Sequence, residues 1–221
     1  MWVPDKVRLS VRNNMALFGT ETSLNLSTRM YLTELHIQCT LQNYNRYDYE
    51  DSEGCFERPP GVIVLQRIGP DARRYSTQRF IVISAHIKPE VGVKDMVTED
   101  EIEKLKTVYE EARERHPDVT NAIIAGDMNA DAGYVKDPEA LALYKDPMSK
   151  FLIDFDADTT SKPTDAAYDH IILYGDSIQT NYEWAQVFDF QKEYNTDDIL
   201  YDDEPITYLI SDHFPVEFAF K

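Results

Sequence analysis

The sequence predicts a single α/β domain, and three observations carry that expectation. Two short β-branched runs, Gly61-Val-Ile-Val-Leu65 and Phe80-Ile-Val-Ile-Ser-Ala85, read as buried strands. Thr98 to His116 reads as one long amphipathic helix. A further apolar run, Asn121-Ala-Ile-Ile-Ala125, follows that helix directly, so strand, helix and strand form a βαβ-like unit.

From the start of the chain, Val7, Leu9 and Val11 alternate with Arg8, Ser10 and Arg12, which predicts a strand. Met30 to Thr40 predicts another, with Tyr31, Thr33, Leu35 and Ile37 on one face. Asn43 to Glu57, rich in Asn, Tyr, Asp and Gly, reads as a loop. Gly69-Pro70-Asp71 is a turn signal between the two β-branched strands. In the helix, Thr98-x-x-Glu101 fits a capping box, acids fill the first turn, and Arg113 and Arg115 fall in the last. Ile102, Leu105, Tyr109 and Ala112 share a face at helical spacing and belong to the core, while Pro117 ends the helix. A short helix is expected near Pro138 to Leu152, and strands near residues 168–174 and 214–220. No internal repeat, low-complexity tract or linker divides the chain, which is read as one domain over residues 1–221.

The formal net charge is −18. From Thr164 to Lys221, 13 acids face only Lys192 and Lys221. Such a field repels polyanions and excludes a protein that merely coats nucleic acid. It leaves room for an enzyme that touches DNA through a local patch or a bound cation. No run approaches the roughly 18 apolar residues of a membrane span. The opening Met1-Trp-Val-Pro-Asp-Lys-Val-Arg8 lacks the layout of a signal peptide. Cys39 and Cys55 allow at most one bridge, and Cys39 reads as a small buried hydrophobe.

Polar residues gather at four strand ends. Strand 80–85 leads to His86, and strand 121–125 to Gly126-Asp-Met-Asn-Ala-Asp131. Tyr168-Asp169-His170 and Ser211-Asp212-His213 each open an apolar strand. Alone, Gly126–Asp131 reads first as an Asx-rich turn after a core strand. Together, two histidines and three aspartates make the inventory of phosphodiester hydrolysis. A cation offsets phosphate charge, one histidine oriented by a carboxylate takes a proton from water, and a second gives one to the leaving oxygen.

Ile83-Ser-Ala-His86, Gly126-Asp-Met-Asn-Ala-Asp-Ala-Gly-Tyr-Val135, Asp165-Ala-Ala-Tyr-Asp-His-Ile-Ile172, Phe188-Asp-Phe190 and Ile210-Ser-Asp-His-Phe-Pro-Val-Glu217 carry a family resemblance. Over about residues 31–221 the chain resembles the deoxyribonuclease I family of the endonuclease/exonuclease/phosphatase superfamily. The resemblance implies an α/β sandwich of two packed mixed sheets flanked by helices. It implies a divalent-metal-dependent endonuclease acting on DNA, with Mg²⁺ as the cation and Ca²⁺ or Mn²⁺ as alternatives. Asp127, Asn129 and Asp212 would serve the metal, and Asn129 and Arg58 the DNA phosphate. His213 would be the general base, oriented by Asp169, and His86 the general acid.

The chain also departs from the family's pattern. Both Asn13 and Asn14 are candidates for the asparagine that ends the family's first strand. The Gln-Glu pair that supplies the main metal ligand has no visible counterpart. Ser27-Thr28-Arg29 stands where the family pairs its acid histidine with a glutamate, so His86 is expected to lack a carboxylate partner. Ala132 and Ala166 replace two bridged cysteines. The N-terminal part is therefore read as truncated and the activity as impaired. The alternatives are an inactive deoxyribonuclease-like binding protein and another phosphoesterase of the superfamily. A monomer without membrane contact is expected, and an actin-like partner follows from the family but from no residue here. The family implies secretion, in which case Asn25-Leu-Ser27 is a glycosylation acceptor; a genuine N-terminus would imply an intracellular protein.

Overall fold

The computed structural model describes residues 7–11, 36–37, 41–67, 79–89, 98–194, 200–201, 204–205 and 210–220. Its strands are β1 (Val7–Val11), β2 (His36–Ile37), β3 (Leu41–Asp48), β4 (Gly61–Arg67), β5 (Arg79–His86) and β6 (Ala122–Asp127). They continue as β7 (Ser149–Phe151), β8 (Asp169–Tyr174), β9 (Tyr182–Val187), β10 (Leu200–Tyr201), β11 (Glu204–Pro205) and β12 (Val216–Phe220). The helices are α1 (Thr98–Arg115), α2 (Ala142–Lys145), α3 (Asp176–Thr180) and α4 (Phe190–Tyr194), with a 3₁₀ turn at Pro138–Ala140.

Six strands form one sheet in the order β3-β4-β5-β6-β8-β7, and four form a second in the order β2-β1-β12-β9. A β10–β11 hairpin stands apart from both. The larger sheet is mixed: β5 and β6 run parallel on either side of the α1 crossover, and the other pairs are antiparallel. Strand alternation sorts its side chains onto two faces. Ile81, Ile83, Ala122 and Ile124 pack with Ile102, Leu105, Val108, Tyr109 and Ala112 of α1. Phe80, Val82, Ile123, Ala125, Ile171 and Leu173 face the other way and pack with Val216, Phe218 and Phe220 of β12. One sheet thus separates two cores, a helix covering one face and the second sheet the other, which is the expected α/β sandwich.

Strand register places the ends that matter. In the parallel pair His86 lies opposite Asp127, and in the antiparallel pair Asp127 lies opposite Asp169. Three polar residues therefore stand in a row across β5, β6 and β8 at one end of the sheet.

Three sequence expectations need correction. Residues 43–48, read as loop, belong to β3, where pairing with β4 overrides a turn-like composition. Arg115 of α1 lies 4.7 Å over the ring of Tyr47 and fixes that strand's outer end. The helix expected over 138–152 breaks into the 3₁₀ turn, α2 and β7. Leu141 is extended (φ −54°, ψ 129°) between the first two, and Asp146 is extended after α2. Pro147 follows Asp146 and disfavours helical backbone there. The Thr98 and Glu101 side chains also reach out of α1: Thr98 Oγ1 donates to the Lys88 carbonyl at 2.7 Å, and the Glu101 carboxylate accepts from loop amides. Asn13, Asn14, Ser27–Arg29, Cys39 and the Gly69–Asp71 turn lie outside the described residues, and of the Met30–Thr40 strand only His36–Ile37 is described. Among the described residues no helix is long and apolar enough to cross a membrane.

Phe218 is fully buried between the sheets. Phe218→Ala is expected to lower the unfolding free energy by about 3–5 kcal/mol in urea titration. Tyr194→Ala, at a 65% exposed position, should change it by less than about 0.5 kcal/mol.

Candidate active site

Gly126 sets the end of β6. Its φ is +151°, and a Cβ there would stand 1.9 Å from the Ala85 carbonyl oxygen. Only glycine lets β5 and β6 approach this closely and deliver Asp127 beside His86. Asp127 then begins a turn: its Oδ1 accepts the Asn129 N–H at 3.1 Å, while Asn129 sits in the left-handed region at φ 45°, which asparagine tolerates. The Asn129 amide donates to the Ile87 carbonyl at 2.9 Å, which fixes the direction of its oxygen. Asp131, the next acid in the alternating row, caps its own turn by accepting the Gly133 N–H at 2.7 Å.

The other Asp127 oxygen, Oδ2, lies 3.6 Å from His86 Nε2 and 4.0 Å from His213 Nε2. β6 thus sets a carboxylate beside His86; Ser27–Arg29, where the family's partner would stand, lie outside the described residues. His213 is held from behind, its Nδ1 2.5 Å from Asp169 Oδ2. That bond fixes which ring nitrogen faces Asp127. It joins β8 of the larger sheet to the loop that enters β12 of the smaller one.

Thr159, which sequence reading did not single out, supports both partners. Its buried hydroxyl donates to the Ala166 carbonyl (3.1 Å) and accepts the Tyr168 and Asp169 N–H groups (2.9 and 3.1 Å). Its carbonyl accepts the Phe214 N–H at 2.7 Å, and Thr160 bridges to His213. Ser211 Oγ accepts the His213 N–H at 3.0 Å, and the Tyr168 ring lies 5.8 Å from the imidazole. The only signal in the sequence is a polar Asp-Thr-Thr-Ser run, which has no period to read.

Charge is unevenly shared. Burial pushes the Asp127 carboxyl up to about 7, and the nearby Asp169 charge adds to the rise. Burial lowers His213, but the Asp169 bond and the surrounding carboxylates outweigh it and raise the imidazole to about 9. His86 is lowered by burial and by the Arg58 guanidinium. Arg58 also holds Asp127 down, so its field reaches the site, and its guanidinium lies 3.9 Å from the Glu57 carboxylate.

Asp212 carries a partner of its own. Its half-exposed carboxylate is engaged by Lys162 Nζ at 3.2 Å, and although burial raises it, Lys162 and His213 bring it below its usual value. Among the described residues no three His, Cys, Asp or Glu side chains are placed to hold a metal ion. Asn129 is not one of those residue types, so the trio of Asp127, Asn129 and Asp212 remains an expectation. Asp127 and Asn129 alone offer one carboxylate and one amide oxygen. That fits a weakly held Mg²⁺, which keeps several waters and uses one or two carboxylates plus substrate phosphate.

Both Asp127 and His213 bind protons more tightly folded than unfolded, so folding stability falls as pH rises. The Asp127 contribution is lost through about pH 7 and that of His213 between its unfolded value of 6.5 and about 9. Calorimetry of the metal-free chain is expected to show the melting temperature falling from pH 6.5 to 9. Asp169→Asn should flatten that slope, because His213 then loses the partner that raises it.

No protein-family model matches the chain. It is 36% identical to deoxyribonuclease gamma of Homo sapiens over 186 residues, covering 81% of this chain and 55% of the relative. It is 32% identical to deoxyribonuclease-1-like 2 of Mus musculus over 79% of this chain and 58% of that protein. Against deoxyribonuclease-1 of Ovis aries it is 30% identical over 77% of this chain and 62% of the relative. The chain spans somewhat more than half the length of the curated relatives it matches. A solved endonuclease/exonuclease/phosphatase family protein from Leptotrichia buccalis superposes with a TM-score of 0.47 at 15% identity, covering 99% of this chain and 72% of that one. Over about four-fifths of its own length the chain is thus similar to these deoxyribonucleases at 30–36% identity.

Proposed function

We propose that this chain is an endonuclease hydrolysing DNA phosphodiester bonds, with Mg²⁺ as its cation. The observation that supports this most is the convergence of two imidazoles on one carboxylate oxygen, His86 at 3.6 Å and His213 at 4.0 Å from Asp127 Oδ2. His213, oriented by Asp169, takes a proton from water as the water oxygen attacks phosphorus. The bond from phosphorus to the leaving oxygen breaks, and His86 gives its proton to that oxygen. Arg58 and Asn129 bind the phosphate oxygens. Asp127, Asn129 and Asp212 are the residues that would hold Mg²⁺, with Ca²⁺ or Mn²⁺ as alternatives. When bound, the cation offsets phosphate charge. A binding protein without catalysis is the second reading, favoured by the engagement of Asp212 with Lys162.

Plasmid nicking by the purified chain in Mg²⁺ plus Ca²⁺ separates the two. EDTA should abolish nicking, and His213→Ala or His86→Ala should each lower kcat by about 10²–10⁴-fold. Nicking that survives EDTA or the loss of His213 refutes the assignment, and no nicking by the unaltered chain favours the binding protein.

Roles can be told apart by pH. With His86 low and His213 raised, kcat/KM should plateau between the two values whichever histidine is the base. In His86→Ala the residual rate should rise about tenfold per pH unit from 7 towards 9, as His213 loses its proton. A residual rate that is flat and then falls near pH 9 would make His213 the donor.

A further inference from the structure

Glu101 lies in the first turn of α1 and is 2% exposed. A carboxylate this deeply buried must be satisfied, and its partners are informative. Its Oε1 accepts the Glu57 N–H and its Oε2 the Lys88 N–H, each at 3.3 Å. Burial pushes its carboxyl up, while those two donors pull it down.

The two amides belong to segments far apart in sequence. Glu57 precedes Arg58 in the loop between β3 and β4. Lys88 is two residues beyond His86 at the exit of β5. Thr98, fully buried and three residues before Glu101, adds a hold on the second segment by donating to the Lys88 carbonyl at 2.7 Å. Lys88 therefore has both backbone groups tied to the first turn of α1. The segments are also stitched side by side. The Glu57 carboxylate lies 3.1 Å from Lys88 Nζ and 3.9 Å from Arg58 Nη2. On the other side, Asp51 accepts the Cys55 and Phe56 N–H groups at 2.9 and 2.7 Å, so the approach to Arg58 is fixed at both ends.

We infer that Glu101 is a positioning residue: its buried carboxylate clamps together the Arg58 loop and the His86 strand exit, and so sets the phosphate-binding arginine against the acid histidine. This rests on the roles given to Arg58 and His86 above. Thr98 is the one-sided counterpart, acting on the His86 segment alone.

The test is a mutant cycle on the full chain. Glu101→Gln keeps the size but replaces one acceptor oxygen by an amide that repels an N–H. It is expected to lower kcat/KM for plasmid nicking about tenfold, as small misplacements of catalytic groups do. In an Arg58→Ala/His86→Ala background the same change should cause no further loss. Thr98→Val should lose activity in Arg58→Ala but not in His86→Ala, which keeps the test sound if Glu101→Gln folds poorly. An equal penalty for Glu101→Gln in every background overturns the inference and makes Glu101 a general stabilising residue. If the unaltered chain does not nick DNA, the proposed function fails, and the clamp is read by NMR amide exchange instead. Faster exchange at both Glu57 and Lys88 in Glu101→Gln supports the clamp, and unchanged exchange overturns it.

Discussion

The hydrogen bond from His213 to Asp169 is the interaction on which the rest of the site depends. At 2.5 Å it crosses between the two sheets, so it is at once a tertiary contact and the device that aims an imidazole. Its surroundings leave it little freedom. Thr159 fixes the Asp169 amide with its hydroxyl and the Phe214 amide with its carbonyl, which holds both ends of the bond to one residue. The apolar layer of Phe218, Phe220, Ile171 and Leu173 beneath it sets the spacing of the sheets. Packing thus determines a distance that chemistry then uses.

The site solves an electrostatic problem by arrangement rather than by neutrality. Asp127 and Asp169 stand opposite each other on neighbouring strands, and their mutual repulsion is relieved by His213 between them and by Arg58 nearby. Asp212, half-exposed and paired with Lys162, adds its charge to the field at His213. The result is a compact centre of one carboxylate oxygen and two imidazoles in a protein whose formal net charge is −18.

Much of this was legible in the sequence, for reasons that can be named. The βαβ unit has strong periodicity, and the polar residues at the ends of β5, β6 and β8 follow from where the apolar runs stop. The Gly126–Asp131 turn carried two readings: the Asx turn is observed and the catalytic one is proposed. Asp127 closes an Asx turn on Asn129 with one oxygen and faces the histidines with the other. What could not be read was anything created by long-range pairing. The β3 strand is polar and forms only against β4. The carboxylate beside His86 comes from a strand 41 residues further on, between Asp127 and His86. Thr159 and Glu101 matter through backbone amides distant in sequence, and amide partners leave no mark on residue type.

The edge of the larger sheet carries a last consequence. The β3 strand lies at that edge, eight residues long, and a strand of such length offers a row of backbone groups to any second chain. Its register against β4 slips between Asn43 and Asn45, and Asn45 and Asp48 are exposed beyond the slip. A bulge twists the edge away from the straight geometry that a neighbour would need, and its polar side chains make stacking unfavourable. The polar composition that hid this strand from the sequence pattern thus joins the bulge in discouraging it from seeding aggregates.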